Sequence, residues 1–149
     1  IACLRQQTII KKLKIIVVDD GSTDDTANWL NKQNDIETLT GNGHLLWAGA
    51  VNLAIKHLNK KYRENDWLLL INNDVEINND YIEILYKTAK KNFPAAVGSI
   101  IKNKNEELIS IGAKILPTTL EVKEIHNDAF VLFRHLLLPI NPLTTYLKS

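Results

Sequence analysis

The chain has 149 residues, 45% hydrophobic and 23% charged, with 18 Lys plus Arg against 17 Asp plus Glu and a formal net charge of +1. A single soluble globular domain of this size buries about 70% of its unfolded surface, and so near-neutral a balance excludes a basic field built for nucleic acid. The lone Cys3 excludes a disulfide framework, and the longest apolar runs, 68–71 and 136–140, fall far short of the roughly 20 residues that span a bilayer.

Apolar periodicity alternates short strands with amphipathic helices, the pattern of a layered α/β domain with a mostly parallel sheet. Residues 14–18 carry Ile15, Ile16, Val17 and Val18, a continuous run that predicts a central strand covered on both faces. Asp19, Asp20, Gly21, Ser22 and Thr23 follow, and Ser22 with Asp25 resembles a capping box for a helix over 24–32. Residues 36–39 read as a weaker strand, and Gly41, Asn42 and Gly43 as a loop before a second helix. There Trp47, Val51, Ala54, Ile55 and Leu58 fall at offsets 0, 4, 7, 8 and 11, one apolar stripe in a helix predicted to end near Tyr62.

Residues 67–71 predict a second continuous strand, broken by Asn72, Asn73 and Asp74. Tyr81, Ile82, Leu85, Tyr86 and Ala89 mark a third helix, capped by Asn78 or Asn79 and stopped before Pro94. Residues 96–101 read as a strand, 108–111 and 113–116 as a hairpin or meander, and 120–125 as a further short strand. The sequence contains no Met and opens on Ile1, which predicts a truncated chain.

Two of these strands end in carboxylates, Asp19 with Asp20 and Asp74. In open α/β sheets ligands bind beyond the carboxyl ends of the strands, so neighbouring strands would turn these acids into one crevice. One carboxylate can accept the imide hydrogen of a uracil-like base, and another can hold a divalent cation against a pyrophosphate, a pairing suited to a nucleotide diphosphate. The plainer alternative is that Asp, Asn and Gly here only punctuate turns and cap helices.

The string Ile15, Ile16, Val17, Val18, Asp19, Asp20, Gly21, Ser22, Thr23, Asp24 resembles the signature of family 2 glycosyltransferases, inverting GT-A enzymes that use nucleotide-sugar donors. Residues 41–55 (GNGHLLWAGAVNLAI) resemble that family's next loop and helix, and 67–75 (WLLLINNDV) the strand ending in its Asp-x-Asp metal motif. Residues 80–85 and 97–101 continue the likeness, so three ordered motifs over about 90 residues carry it.

The resemblance implies a GT-A fold with a mostly parallel, Rossmann-like sheet flanked by helices, the family's first strand and C-terminal part falling outside this sequence. It implies one partial domain, with 1–101 the donor-nucleotide portion and 102–149 the start of the acceptor side. Asp20, with Asp19 and Gly21, would meet the donor's base, and Asn52 and Asn73 would lie near the donor. Asp74 would coordinate Mg2+ or Mn2+, with Asn72 in place of the motif's first Asp as a weaker oxygen ligand. The catalytic base is unassigned: after residue 116 only Glu121, Glu124 and Asp128 are acidic, and Phe133, Arg134 and His135 depart from the family's pattern. The implied partners are a nucleotide-diphosphate sugar and a saccharide or lipid-linked acceptor, in bacterial cell-envelope or surface polysaccharide synthesis. The implied location is cytoplasmic, with a lipid-linked acceptor met at the inner face of the membrane.

A rival reading comes from Asn72, Asp74, Glu76, Asn78, Asp80 and Glu83, which occupy the oxygen-ligand positions of an EF-hand loop. Against it stand Ile77 where that loop needs Gly and a strand where it needs a helix. A fragmentary relative that binds nucleotide without turnover is the other alternative, and a sugar nucleotidyltransferase would need a Gly-rich basic loop that is not seen. The histidines, His44, His57, His126 and His135, show no converging metal spacing, although His44 lies on the loop nearest the donor. Trp47 is read as core packing ahead of base stacking, and Lys56, Lys60 and Lys61 as a solvated helix face.

Overall fold

The computed structural model describes residues 1–58, 61, 63, 65–93, 97–110, 113–115, 122–124 and 135–139. In chain order the elements are α1 (Ala2–Arg5), a 3₁₀ turn (Ile10–Lys12), β1 (Ile15–Asp19), α2 (Thr26–Asn31), β2 (Ile36–Thr40), α3 (Leu46–Leu58), β3 (Trp67–Ile71) and α4 (Tyr81–Lys91). Short strands follow: β4 (Val97–Gly98), β5 (Ile101–Lys102), β6 (Leu108–Ser110), β7 (Ala113–Ile115), β8 (Val122–Glu124) and β9 (His135–Pro139).

The first half is a βαβ unit. β1 and β2 run parallel from Ile15 opposite Ile36 to Asp19 opposite Thr40, with α2 as the crossover. Its core is Ile15, Leu30 and Ile36, with Leu4, Ile10 and Val17 against them. The apolar stripe of α3 closes down as predicted, burying Ile55 and Leu58. The second half is built on β3, which pairs antiparallel with β9, while β4 takes β9's other edge. Leu85 and Ala89 of α4 seal it against Trp67, Leu69, Tyr81 and Val97. No helix among the described residues is long and apolar enough to cross a membrane.

Several boundaries differ from the sequence expectation. Ser22 does not cap α2: its N–H and Oγ both turn back to Asp19 Oδ1, at 3.0 and 2.5 Å, and the helix begins at Thr26. Asp24 Oδ1 accepts the Thr26 N–H instead, 3.0 Å away. α3 is described as far as Leu58, and Tyr62, its expected end, lies outside the described residues. The N-cap of α4 is Asp80, without a side-chain cap, while Asn78 and Asn79 contribute only their carbonyls. Residues 96–101 do not form one strand, because β4 and β5 belong to different sheets. Nor do 108–111 and 113–116 pair together: β6 folds back on β5 and β7 pairs with β8. Among the described residues the parallel pairing is that of β1 with β2, while the long-range partner of β3 arrives antiparallel.

The two halves have separate cores and, among the described residues, no shared ladder. A cavity of about 880 Å³ lies between them, lined along its length by β1 and β3 and on one side by Trp47, Val51, Ala54 and Leu58 of α3. Gln7 bridges the halves away from α3. Only 2% exposed, it donates through Nε2 to the carbonyls of Cys3 (3.2 Å) and Asn78 (2.7 Å) and accepts the Ile82 N–H at 2.9 Å. The Thr8 N–H adds a bond to the Asn79 carbonyl at 2.8 Å.

Candidate functional site

Asp19, the last residue of β1, is 7% exposed. Its carboxylate closes the turn to Ser22, and its carbonyl accepts the Gly41 N–H at 2.8 Å. Gly21 makes that turn with φ +78°, and a Cβ there would stand 3.1 Å from Gly43 Cα, so backbone conformation and close approach both call for glycine.

Asp20 is committed to the neighbouring loop. Oδ1 accepts the Gly43 N–H at 2.8 Å, while Oδ2 accepts the N–H groups of Leu45 at 2.7 Å and Leu46 at 3.2 Å. Aligning the last two places Leu46 at φ +54°, a left-handed conformation that costs a branched residue roughly 1–2 kcal/mol. Charge-assisted bonds at roughly 1.5–3 kcal/mol each offset that cost. Gly43 is also left-handed, at φ +83°.

This loop delivers Trp47 to the end of β3. Trp47 is 43% exposed rather than packed in the core, and its Nε1–H donates to Asn72 Oδ1 at 3.2 Å. The carboxyl ends of β1 and β3 are thereby tied to one helix start, although the strands do not pair. Asp19, Asp20, Ser22, Asn72 and Asn73 all line that end of the cavity.

The other predicted site residues are less convergent. Asn73 and Asp74 are exposed in the turn after β3. Asn52 is exposed on α3 and does not line the cavity. His44 is exposed, its N–H held by Asn42 Oδ1 at 3.0 Å. Trp47, read in the sequence as core packing ahead of base stacking, is exposed at the rim; its position right after a Gly-rich loop was the signal for that place.

A preformed metal cage is not seen, since no group of three His, Cys, Asp or Glu able to hold an ion occurs among the described residues. The EF-hand spacing fails structurally too. Its twelfth ligand, Glu83, lies on α4, bonded to Thr8 Oγ1 at 2.7 Å and paired with Lys87 at 2.7 Å. What remains is one exposed carboxylate, Asp74, beside Asn72, whose carbonyl oxygen already accepts the indole. That fits a cation held by one protein carboxylate together with substrate phosphates.

The remaining expectations fall elsewhere. Of the expected solvated face, Lys56 and Lys61 are exposed and Lys60 lies outside the described residues; Lys61 pairs with Glu37 at 2.8 Å, as His57 does at 2.6 Å. His126, Glu121, Asp128, Phe133 and Arg134 lie outside the described residues.

No curated protein and no solved structure matches the chain significantly. The sequence model of glycosyl transferase family 2 matches residues 1–139, nearly the whole chain and both strand ends of the rim, and the chain therefore belongs to that family, with the GT-A fold that membership implies.

Proposed function

We propose that the chain binds a nucleotide-diphosphate sugar at the rim joining β1 and β3 and serves metal-assisted transfer of the sugar to an acceptor hydroxyl with inversion. The observation that carries this reading is the bond from Trp47 to Asn72, which brings the acidic end of β1 and the Asn-Asn-Asp end of β3 to one rim. In this reading the turn of Asp19, Asp20 and Gly21 borders the base, Asn73 and Asn52 flank the donor, and Asp74 holds Mg2+ or Mn2+ with the donor's diphosphate. When bound, the cation neutralises charge on the leaving diphosphate. The acceptor oxygen bonds to the anomeric carbon as its proton passes to a carboxylate base, and the bond to the nucleoside diphosphate breaks on the opposite face. The base is assigned to none of the described residues. A saccharide or lipid-linked acceptor in cell-envelope polysaccharide synthesis suits this chemistry.

The test is calorimetry with nucleoside diphosphates, with and without Mn2+, beside transfer and hydrolysis assays on a panel of nucleotide sugars. Asp74→Ala should abolish the Mn2+-dependent part of binding, a loss on the order of tenfold or more for a charge-assisted contact. Binding indifferent to both Mn2+ and Asp74 would overturn the metal assignment. Binding without turnover would identify a nucleotide-binding chain that lacks its base.

A further inference from the structure

We propose that the outer face of α4 docks on an anionic lipid bilayer, held there by Lys12, Lys87, Lys90 and Lys91 with Ile84 and Phe93 as its apolar contacts. The proposal stands apart from the nucleotide-sugar reading, because neither its residues nor its test involves a nucleotide.

α4 buries one side only. Ile82, Leu85 and Ala89 are its buried residues, and at about 3.6 residues per turn the opposite stripe is Ile84, Lys87, Thr88 and Lys91. All four are exposed, as is Lys90 beside them. Ile84 is 55% exposed amid these lysines, and Phe93, just past the C-cap, is 62% exposed. The 3₁₀ turn adds Lys11 and Lys12, both exposed. Thr8 ties that segment to Glu83 at 2.7 Å. Lys87 first, then Thr8 and, through space, Lys12 hold the Glu83 carboxyl below its ordinary range, so Lys12 and Lys87 flank one acid.

The charge is local. Against these five lysines stand Glu83, already paired with Lys87 at 2.7 Å, and Asp80 at the helix start. The whole chain is only +1, so the rest of it is net negative. An anionic surface therefore attracts this face and repels the others, which fixes one orientation. Lysine ammonium groups are hydrated point charges without the forked geometry that reads a defined phosphate or carboxylate, and they suit a diffuse surface. Ile84 and Phe93 decide the kind of surface. Against a nucleic-acid backbone or an acidic protein they gain little, whereas at a bilayer they enter the boundary between headgroups and acyl chains. If both readings hold, a lipid-linked acceptor is met on the surface where the chain rests.

The test is vesicle co-sedimentation of the full chain without nucleotide, on phosphatidylcholine alone and on phosphatidylcholine with about one third phosphatidylglycerol. The chain should bind the mixed vesicles at low salt, release them at high salt and ignore phosphatidylcholine alone. Lys90→Gln combined with Lys91→Gln should weaken binding roughly tenfold or more, and Ile84→Ser roughly threefold or more. Lys32→Gln combined with Lys104→Gln makes the same charge change at exposed positions elsewhere, and should stay within about twofold of the wild type. Equal urea midpoints keep the comparison free of folding effects.

Absence of binding to the mixed vesicles overturns the proposal. Equal losses in the two lysine pairs also overturn it, since net charge alone would then be acting. Binding untouched by Ile84→Ser, with equal capture on polyglutamate or on polyuridylate RNA, overturns the lipid in favour of an acidic macromolecule. Nucleotide binding is read in a separate assay, so the failure of either reading is told apart from the failure of the other.

Discussion

A methyl group added at Gly41 would stand 2.3 Å from Asp20 Oδ1, 2.6 Å from Leu45 Cδ1 and 3.0 Å from Asp20 Cα. The first two atoms belong to side chains held in place by the loop, and the third is backbone, so the overlap cannot be relieved by one rotamer change. Gly41→Ala should cost about 1–3 kcal/mol, as other overpacking does, and should push the Asp20 carboxylate off the loop. Gly43→Ala is the matched control. Its Cβ would meet nothing nearer than the Asp20 carbonyl oxygen at 3.9 Å, so the left-handed φ alone costs about 1–2 kcal/mol. Urea denaturation should show both destabilised, while only Gly41→Ala moves the Trp47 indole resonance. An unmoved resonance would mean that the carboxylate holds its place without the space Gly41 leaves.

Among the elements, β2 is tied to its neighbours by Glu37. Its carboxylate meets Lys14 before β1 at 2.6 Å, His57 of α3 at 2.6 Å and Lys61 at 2.8 Å. Lys14 foremost, then Lys61 and His57, hold the Glu37 carboxyl at about 2, below its ordinary 4.5. Since the folded value is the lower one, the cluster's stabilisation is complete above pH 4.5 and is lost as pH falls towards 2. Thermal unfolding should therefore show a gap between wild type and Glu37→Gln at pH 6 that is clearly narrower at pH 3 and closes only towards pH 2. A gap of equal size at both values would show that packing, not charge, is what Glu37 contributes. The same elements show what was readable beforehand. β1 and β3 announced themselves as continuous apolar runs, and α3 and α4 as stripes, because those patterns are local. The acidic rim was readable because both strands end in Asp and Asn. The partner of β3 was not, since β9 lies more than sixty residues away and periodicity carries no pairing information. Ser22 misled for a related reason: the hydroxyl that can cap forward can equally bond back to Asp19, and the backward geometry won.

At the scale of the molecule, two cores face each other across the cavity, so cooperativity depends on a few cross-links rather than on a continuous sheet. Trp47 to Asn72 is the link at the carboxyl end of the strands, and Gln7 is another, buried and bonded at both ends of its amide. Gln7 also supplies what α4 lacks: the helix has no side-chain cap of its own, and the Ile82 N–H, an orphan donor of its first turn, is satisfied from a residue 75 positions earlier. Gln7→Ala leaves that N–H without its partner, while the Asn78 carbonyl keeps the Tyr81 N–H at 3.1 Å, which should cost about 1–3 kcal/mol for one buried donor. The loss should appear as uncoupling as well as weakening. Trp29 reports on the first half, beside Arg5 at 6.0 Å, and Trp67 on the second, edge-on to Tyr86 at 6.1 Å. In Trp→Phe backgrounds that retain one of these two, the wild-type linkage should give coincident urea transitions, and Gln7→Ala should separate them, with the half around Trp67 unfolding first because α4 loses its cap. Coincident transitions in both backgrounds would show that the remaining links, Trp47 to Asn72 and Thr8 to Asn79 and Glu83 among them, suffice to couple the halves and that Gln7 is dispensable to it.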